Sequence, residues 1–252
     1  MIGDLTTMEK TMKLPEAEKN NKVKLYGVII GLVSLAAQHG IYLLGHILAG
    51  VVGIAPFVPK IAAIDNAIPI IPIFIIPYVW AYVTWGMAPM AASKCEIGHF
   101  KDYLAAYLFA CLFGALILTF APTYMDRVAE GLYDTTNTGF FWWLMRFWYS
   151  LDGSEIAYNL FPSFHCINST MAYLAVAGRK EVPVWFRVYS LIMAFLVYAA
   201  TVFVKQHFFI DIIGGVVIAV IAFIICKKCR AGRIFDGAIK FYNEKIKKKK
   251  AA

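Results

Sequence analysis

The chain contains six apolar stretches, each long enough for a membrane-spanning helix of about 20 residues. They lie at 25–51, 67–92, 103–122, 161–178, 184–204 and 208–226. Because a soluble core of this size does not need so much apolar sequence, the excess is expected to face lipid. Only 16% of the residues are charged, and the mean hydropathy is +0.65. We therefore predict an all-α polytopic membrane protein with six transmembrane helices.

Polar segments flank the apolar region at both ends of the chain. We predict a polar N-terminal segment at 1–22, a membrane domain at 23–226 and a basic tail at 227–252. Six spans place both termini on the same side of the membrane. Twenty of the 24 basic residues fall on that side and four on the other. This distribution predicts cytoplasmic termini in a plasma membrane, with the opposite loops extracytoplasmic.

Prolines and glycines predict local features of two spans. Pro69, Pro72 and Pro77 indicate a kink or local unwinding in the second span, which neighbouring helices can accommodate. Gly214 and Gly215 in the sixth span predict a close approach of another helix.

Three further features concern the membrane surface. The aromatic run at 140–149 suits either an interfacial anchor or a lid over a site. Cys226 and Cys229 form one C-x-x-C pair without the second half of a zinc site, so we interpret them as reduced thiols. Ten basic residues between Lys227 and Lys250 are expected to contact anionic lipid head groups. They lack interleaved stacking aromatics, so we expect no nucleic-acid partner.

Ionisable residues from three separate parts of the sequence fall on the predicted extracytoplasmic side. These are Arg127, His165, Lys205, His207 and Asp211. Ionisable groups near a membrane usually face a protein interior or a wet cavity, so this convergence indicates a site. His207 and Asp211 are four residues apart and share a helix face. A carboxylate bonded to one imidazole nitrogen leaves the other nitrogen free for nucleophilic attack.

The remaining groups suit a phosphate. Pro162 is expected in the first turn of the fourth span, where Ser163 and unpaired backbone N–H groups would cradle phosphate oxygens. Arg127 and Lys205 would balance the phosphate charge, and a protonated His165 could donate to a departing alkoxide. Together they indicate phosphoryl transfer through a phosphohistidine.

The other histidines lack such partners in the sequence. His39 and His46 lie in the first span without a carboxylate at helical spacing, and His99 lies in a predicted cytoplasmic loop. We interpret all three as structural residues.

The Pro-Ser-Phe-His stretch at 162–165 and the stretch from His207 to Gly215 resemble motifs of the type 2 phosphatidic acid phosphatase superfamily. That family carries K-x6-R-P, P-S-G-H and S-R-x5-H-x3-D motifs, has six membrane helices and needs no metal or other cofactor. The resemblance covers roughly residues 120–216. It implies that His207 is the nucleophile, Asp211 its orienting partner, His165 the general acid and Arg127 a phosphate ligand.

The chain departs from the family motifs at five positions: Phe120 for Lys, Val128 for Pro, Phe164 for Gly, and Ala200 and Thr201 for Ser-Arg. Two expected cations are therefore absent, and Lys205 is the nearby replacement. The Lys-Gln-His turn at 205–207 looks more like the branch that includes inositol phosphorylceramide synthases and many bacterial relatives.

The sequence leaves the acceptor of the phosphoryl group open. Water as acceptor gives a lipid phosphate phosphatase, whereas a lipid or polyol hydroxyl gives a head-group phosphotransferase. A transporter or channel is a third interpretation, but such proteins typically place charges near the midplane and show repeated halves. A metal site at His165, His207 and Asp211 has suitable ligand types, yet two neighbouring cations would repel the metal.

Overall fold

The computed structural model describes residues 23–134, 136–153 and 155–237. Its described part contains eight α-helices and one pair of short strands. The helices are α1 Leu25–Val52, α2 Ala62–Asp65, α3 Ile75–Ala92, α4 Ile97–Phe120, α5 Phe140–Ser150, α6 Phe164–Leu174, α7 Val184–Phe203 and α8 Phe209–Cys229. The strands are β1 Tyr124–Asp126 and β2 Ile156–Tyr158, and short 3₁₀ helices cover Pro72–Phe74 and Ala231–Phe235.

Five helical segments are long and apolar enough to cross a membrane: Leu25–Val52, Pro72–Ala92, Ile97–Phe120, Val184–Phe203 and Phe209–Cys229. The prediction of an all-α polytopic membrane protein is therefore confirmed. The predicted fourth span at 161–178 differs, because its helix α6 has 11 residues. At 1.5 Å per residue it is roughly 16 Å long, about half the thickness of a hydrocarbon core.

Helix α6 is buried among the longer helices, and the chain around it still passes through the bundle. At its start, the backbone N–H of Ser163 donates to the carbonyl oxygen of Asp211, at the beginning of α8. Just after its end, the carbonyl oxygen of Ala175 hydrogen-bonds Nε2 of His99, near the beginning of α4. The short helix is followed by tight turns that complete this passage.

The described ends of the chain lie together at the end of the bundle opposite Ser163. The backbone N–H of Lys24 donates to Oγ of Ser93, at the end of α3. After α8, the N–H of Gly232 donates to Oδ1 of Asp102 near the start of α4. The predicted N-terminal segment 1–22 and the tail beyond residue 237 lie outside the described residues.

Prolines accompany local unwinding at the start of the second span, one of the two alternatives predicted for it. Residues 67–71 are not helical, Pro72 begins a 3₁₀ turn, and Pro77 lies in the first turn of α3. Proline is tolerated at these positions because a first-turn N–H has no helical partner. The predicted start of the helix at residue 67 is thus wrong by several residues, and Pro89 is the proline inside α3.

Glycines allow α6 and α8 to touch, as predicted. A Cβ atom on Gly215 would lie 2.6 Å from the carbonyl oxygen of Ser163 and 2.8 Å from Cβ of Cys166. A Cβ on Gly214 would lie 2.5 Å from the ring of Phe161. This close approach fixes the start of α6 beside the start of α8, where the predicted site residues His165, His207 and Asp211 lie.

Candidate active site

The turn between α7 and α8 presents His207. The carbonyl oxygen of Thr201 accepts from the backbone N–H groups of Gln206 (2.9 Å) and His207 (3.0 Å). The chain reverses at Lys205, whose φ of 47° is left-handed. Thr201, at a position where the family carries a cation, therefore contributes its backbone to the shape of this turn.

Asp211 holds the ring of His207, as the four-residue spacing predicts. Its Oδ2 atom lies 3.3 Å from Nδ1 of His207 and accepts from the N–H of Phe208 at 2.9 Å. The carboxylate is fully buried. With Nδ1 directed at the carboxylate, Nε2 of His207 is the nitrogen left for chemistry.

Helix α6 places His165 opposite His207. Ser163 is the N-cap, and its Oγ accepts from the N–H of Cys166 at 3.3 Å. The rings of His165 and His207 have centroids 6.1 Å apart.

The expectation that Pro162 lies in the first turn of α6 is wrong, because Pro162 precedes the N-cap Ser163. Its ring lies one residue outside the helix, so the first-turn N–H groups still lack helical partners.

Aromatic side chains surround His165. Its ring stacks on that of Tyr78, with centroids 4.0 Å apart and planes 19° apart. Trp85 and Tyr82 meet it edge-on, at centroid distances of 5.1 Å and 5.7 Å. No hydrogen-bond partner for Nε2 of His165 is present among the described residues. This nitrogen is therefore a buried polar atom without a protein partner among those residues.

Both histidines line one cavity of about 230 Å³ at this end of the bundle. Its other lining residues come from α1, α3, α5, α6, β2 and the loops beside it, and the turn between α7 and α8: Gln38, His39, Tyr42, Tyr78, Tyr82, Trp85, Trp148, Leu151, Asp152, Tyr158, Asn159, Leu160, Phe164, Asn168 and Gln206. None of these was predicted as a site residue. Tyrosines within apolar spans give no functional signal, whereas the amides of Gln38 and Asn168, bonded to each other at 2.9 Å, were a polar signal inside two spans.

The predicted aromatic run forms α5, which has one buried face and one exposed face. Met145 and Tyr149 are buried, and Trp148 lines the cavity. The hydroxyl of Tyr149 donates to the carbonyl oxygen of Val204, which ties α5 to the turn that carries His207. The opposite face exposes a stacked row of Phe140, Trp143 and Phe147. Such a row suits a membrane interface.

Arg127, predicted as a phosphate ligand, lies behind the cavity wall. It is fully buried after β1, and its guanidinium packs over the ring of Tyr149, 4.4 Å from the centroid. It donates to the backbone oxygen and Oδ2 of Asp152, both at 3.0 Å, and to Oε1 of Gln206 at 2.7 Å. Asp152 and Gln206 line the cavity, and Arg127 does not. Burial raises the pKa of Asp152, and the Arg127 charge opposes that rise.

Lys205 is not brought together with the two histidines. Its Nζ donates to the carbonyl oxygen of Asp65 at 2.9 Å, and it does not line their cavity. Burial lowers its pKa, while Glu130 and Asp65 oppose that change. The carboxylate of Asp65 also accepts from the N–H of Phe209 at 2.8 Å. Since neighbouring residues of a tight turn point in different directions, Lys205 anchors the turn on α2 while His207 faces the cavity.

Two other predictions concern replaced motif residues and a metal. Phe120 stands where the family has lysine and is 61% exposed, so it takes no part in the site. Among the described residues, no group of three or more His, Cys, Asp or Glu side chains is arranged to hold a metal ion.

The fold and the site define a helical membrane protein with a His–Asp pair and a second histidine in an aromatic cavity at one end of its bundle. The family model of the PAP2 superfamily, the type 2 phosphatidic acid phosphatases, matches residues 62–225. The match covers more than half of the chain, and the chain belongs to this superfamily. No curated protein and no solved structure matches it.

Membership supports a phosphatase-like enzyme of lipid phosphates, with phosphatase or phosphotransferase activity in general. The matched region begins at α2 and excludes α1. Helix α1 nevertheless contributes Gln38, His39 and Tyr42 to the cavity.

Proposed function

We propose that this protein is an integral-membrane phosphatase that removes phosphate from a lipid phosphate or diphosphate through a phosphohistidine. The observation that carries the proposal is the His207–Asp211 contact facing His165 across a shared cavity. In this arrangement one imidazole is oriented by a buried carboxylate, and the other has a free nitrogen. These are the two roles that phosphoryl transfer through a covalent intermediate requires.

In the first step, Nε2 of His207 attacks phosphorus, the bond from phosphorus to the lipid oxygen breaks, and His165 gives that oxygen a proton. Asp211 stabilises the positive charge that develops on the His207 ring. In the second step, water attacks the phosphohistidine, His165 takes a proton from that water, and inorganic phosphate leaves. His165 is thereby returned to its starting state.

The start of α6 supplies the proposed cradle for phosphate oxygens. Its first-turn N–H groups and the positive end of the helix dipole favour an anion. Ser163, predicted as a phosphate ligand, caps this helix instead: its Oγ accepts from the N–H of Cys166, and its fully buried side chain is not among the residues that line the cavity. The aromatic walls built by α1, α3 and α5 suit the apolar part of an amphiphilic substrate.

A second candidate function is head-group transfer to a hydroxyl acceptor. The observation that favours it is a pair of polar groups on the cavity wall, Asp152 and Asn159, which the hydrolytic steps do not use. A carboxylate and an amide can bind the hydroxyl groups of a polyol. Acceptor choice would then distinguish the two activities, with the same first step in both.

Product analysis tests the proposal and separates these functions. We expect the purified protein in detergent micelles to release inorganic phosphate from a radiolabelled lipid phosphate, with or without an added polyol. A labelled polyol phosphate as the main product would establish the transferase instead. Unchanged substrate across phosphatidate, polyprenyl and sphingoid phosphates would contradict both.

We further propose that the site faces the extracytoplasmic side of a plasma membrane. Support comes from charge, because Lys94, Lys101, Arg179 and most other described basic residues belong to segments at the opposite end of the bundle.

Cysteine labelling tests this orientation. A cysteine replacing the exposed Thr136, near the site end, should react in intact cells with a membrane-impermeant maleimide. The native exposed Cys229, at the other end, should react only after lysis. The reverse pattern would contradict this orientation.

A further inference from the structure

Gln206 separates the buried guanidinium of Arg127 from the cavity that holds both histidines. Its side chain is 2% exposed, and its Oε1 accepts from Arg127 at 2.7 Å. A guanidinium has only donors, so the oxygen of the amide must face Arg127. The amide nitrogen therefore faces away from Arg127, and Gln206 lines the cavity next to His207.

This amide nitrogen has no hydrogen-bond partner among the described residues. A buried donor without a partner is unfavourable, and such groups in folded proteins call for a ligand, an ion or a functional role. Here the donor is fixed in direction, because Arg127 is itself held by Asp152 and packed on Tyr149. A fixed, unsatisfied donor beside a proposed nucleophile is suited to an anionic oxygen.

We infer that the amide nitrogen of Gln206 donates a hydrogen bond to an oxygen of the phosphoryl group that His207 attacks. Arg127 is then a positioning residue, which acts on the phosphate through Gln206. This inference rests on the proposed phosphoryl-transfer function. It replaces the direct contact expected of Arg127 with an indirect one.

The charge of Arg127 still assists the phosphate in this arrangement. A hydrogen bond from the guanidinium to Oε1 polarises the amide and makes its N–H groups stronger donors. Because the amide of Gln206 is neutral, Asp152 remains the charged partner of Arg127. The cavity wall therefore keeps one positive and one negative charge. The site thereby compensates in part for the cations that the family has at the positions of Phe120 and Thr201.

The test uses inhibition by inorganic phosphate and by vanadate, measured on the full-length protein in detergent. Gln206→Met removes the donor at similar size. Gln206→Glu keeps an acceptor for Arg127 but places a negative charge where the donor stood. We expect both variants to raise the inhibition constants about ten- to hundredfold, the range for a lost hydrogen bond to a charged group. The Gln206→Glu variant keeps the test decisive if Gln206→Met does not fold.

Ser190→Ala is the matched control, because it removes a buried polar side chain that does not line the cavity. Its Oγ donates to the carbonyl oxygen of Arg187 within α7, away from the His207 turn. We expect the inhibition constants of this variant to stay within about twofold of wild type. Unchanged constants in both Gln206 variants, with melting temperatures like wild type, would overturn the inference while leaving the proposed function intact.

A double-substitution cycle separates positioning from direct contact. If Arg127 acts through Gln206, Arg127→Lys should add little to the loss already caused by Gln206→Met. Fully additive losses would show that Arg127 contacts the phosphate independently, and would overturn its positioning role. A wild-type protein that releases no phosphate from any lipid phosphate would instead remove the proposed function itself.

Discussion

Replacement of His207 by alanine is expected to lower the turnover number on a lipid phosphate by roughly a thousandfold or more, because it removes the nucleophile. Without Nε2 of His207 no phosphohistidine can form, and His165 alone cannot replace it. The substituted side chain is largely buried in a cavity wall rather than in the helix packing, so the variant should still fold. The measurement is phosphate release from the purified variant, with its melting temperature as the check on folding.

His99→Gln provides the matched control for this experiment. His99 is also buried, but its Nε2 bonds the carbonyl oxygen of Ala175 at the opposite end of the bundle. Glutamine keeps a donor for that oxygen, so activity should stay near that of wild type. Full activity in His207→Ala would exclude the proposed chemistry, and equal losses in the two variants would point to misfolding.

Asp211→Asn is expected to lower the turnover number by roughly ten-thousandfold, the loss that follows when the orienting carboxylate of a Ser-His-Asp triad becomes an amide. The substitution preserves size, so the shape of the site should persist. It removes the negative charge that stabilises the positive His207 ring and frees the ring to adopt the other tautomer. The Michaelis constant should change much less, because Asp211 does not contact the substrate in this account.

Asp126→Asn is the corresponding control. Asp126 is exposed, and its Oδ1 accepts from the backbone N–H groups of Val128 and Ala129. An asparagine oxygen can accept the same bonds, so we expect unchanged kinetics. A large loss in Asp211→Asn that appears only in the Michaelis constant would argue against an orienting role.

The sequence predicted the parts of this protein that depend on composition and regular spacing. Apolar segments identified the membrane bundle, and the four-residue spacing of His207 and Asp211 predicted their contact. Paired glycines predicted that another helix approaches α8 closely, and the structure shows that this helix is α6. The contact between His207 and Asp211 formed, but His207 lies just before the N-cap Phe208 and only Asp211 is in α8, so the pair does not share a helix face as predicted.

Features that depend on tertiary contacts were missed or misplaced. The short helix α6, about 16 Å long, could not be distinguished from a full transmembrane span in the sequence. Apolar residues suit a buried helix and a lipid-facing helix equally. Lys205 and His207 are two residues apart, yet the left-handed turn between them directs only His207 into the cavity. The separation of Arg127 from the cavity by Asp152 and Gln206 required the pairing of β1 with β2, which no local pattern encodes.

The most direct test of the central claim is to trap the covalent intermediate. The protein would be mixed with radiolabelled lipid phosphate, quenched in alkali, where phosphohistidine is stable, and digested with trypsin. Cleavage after Lys205 and Lys227 yields a peptide, 206–227, whose one histidine is His207, whereas His165 lies in the peptide 147–179. The account predicts an acid-labile phosphate on the 206–227 peptide of wild type and none in His207→Ala. Label on the 147–179 peptide, or full turnover with no labelled histidine, would contradict it.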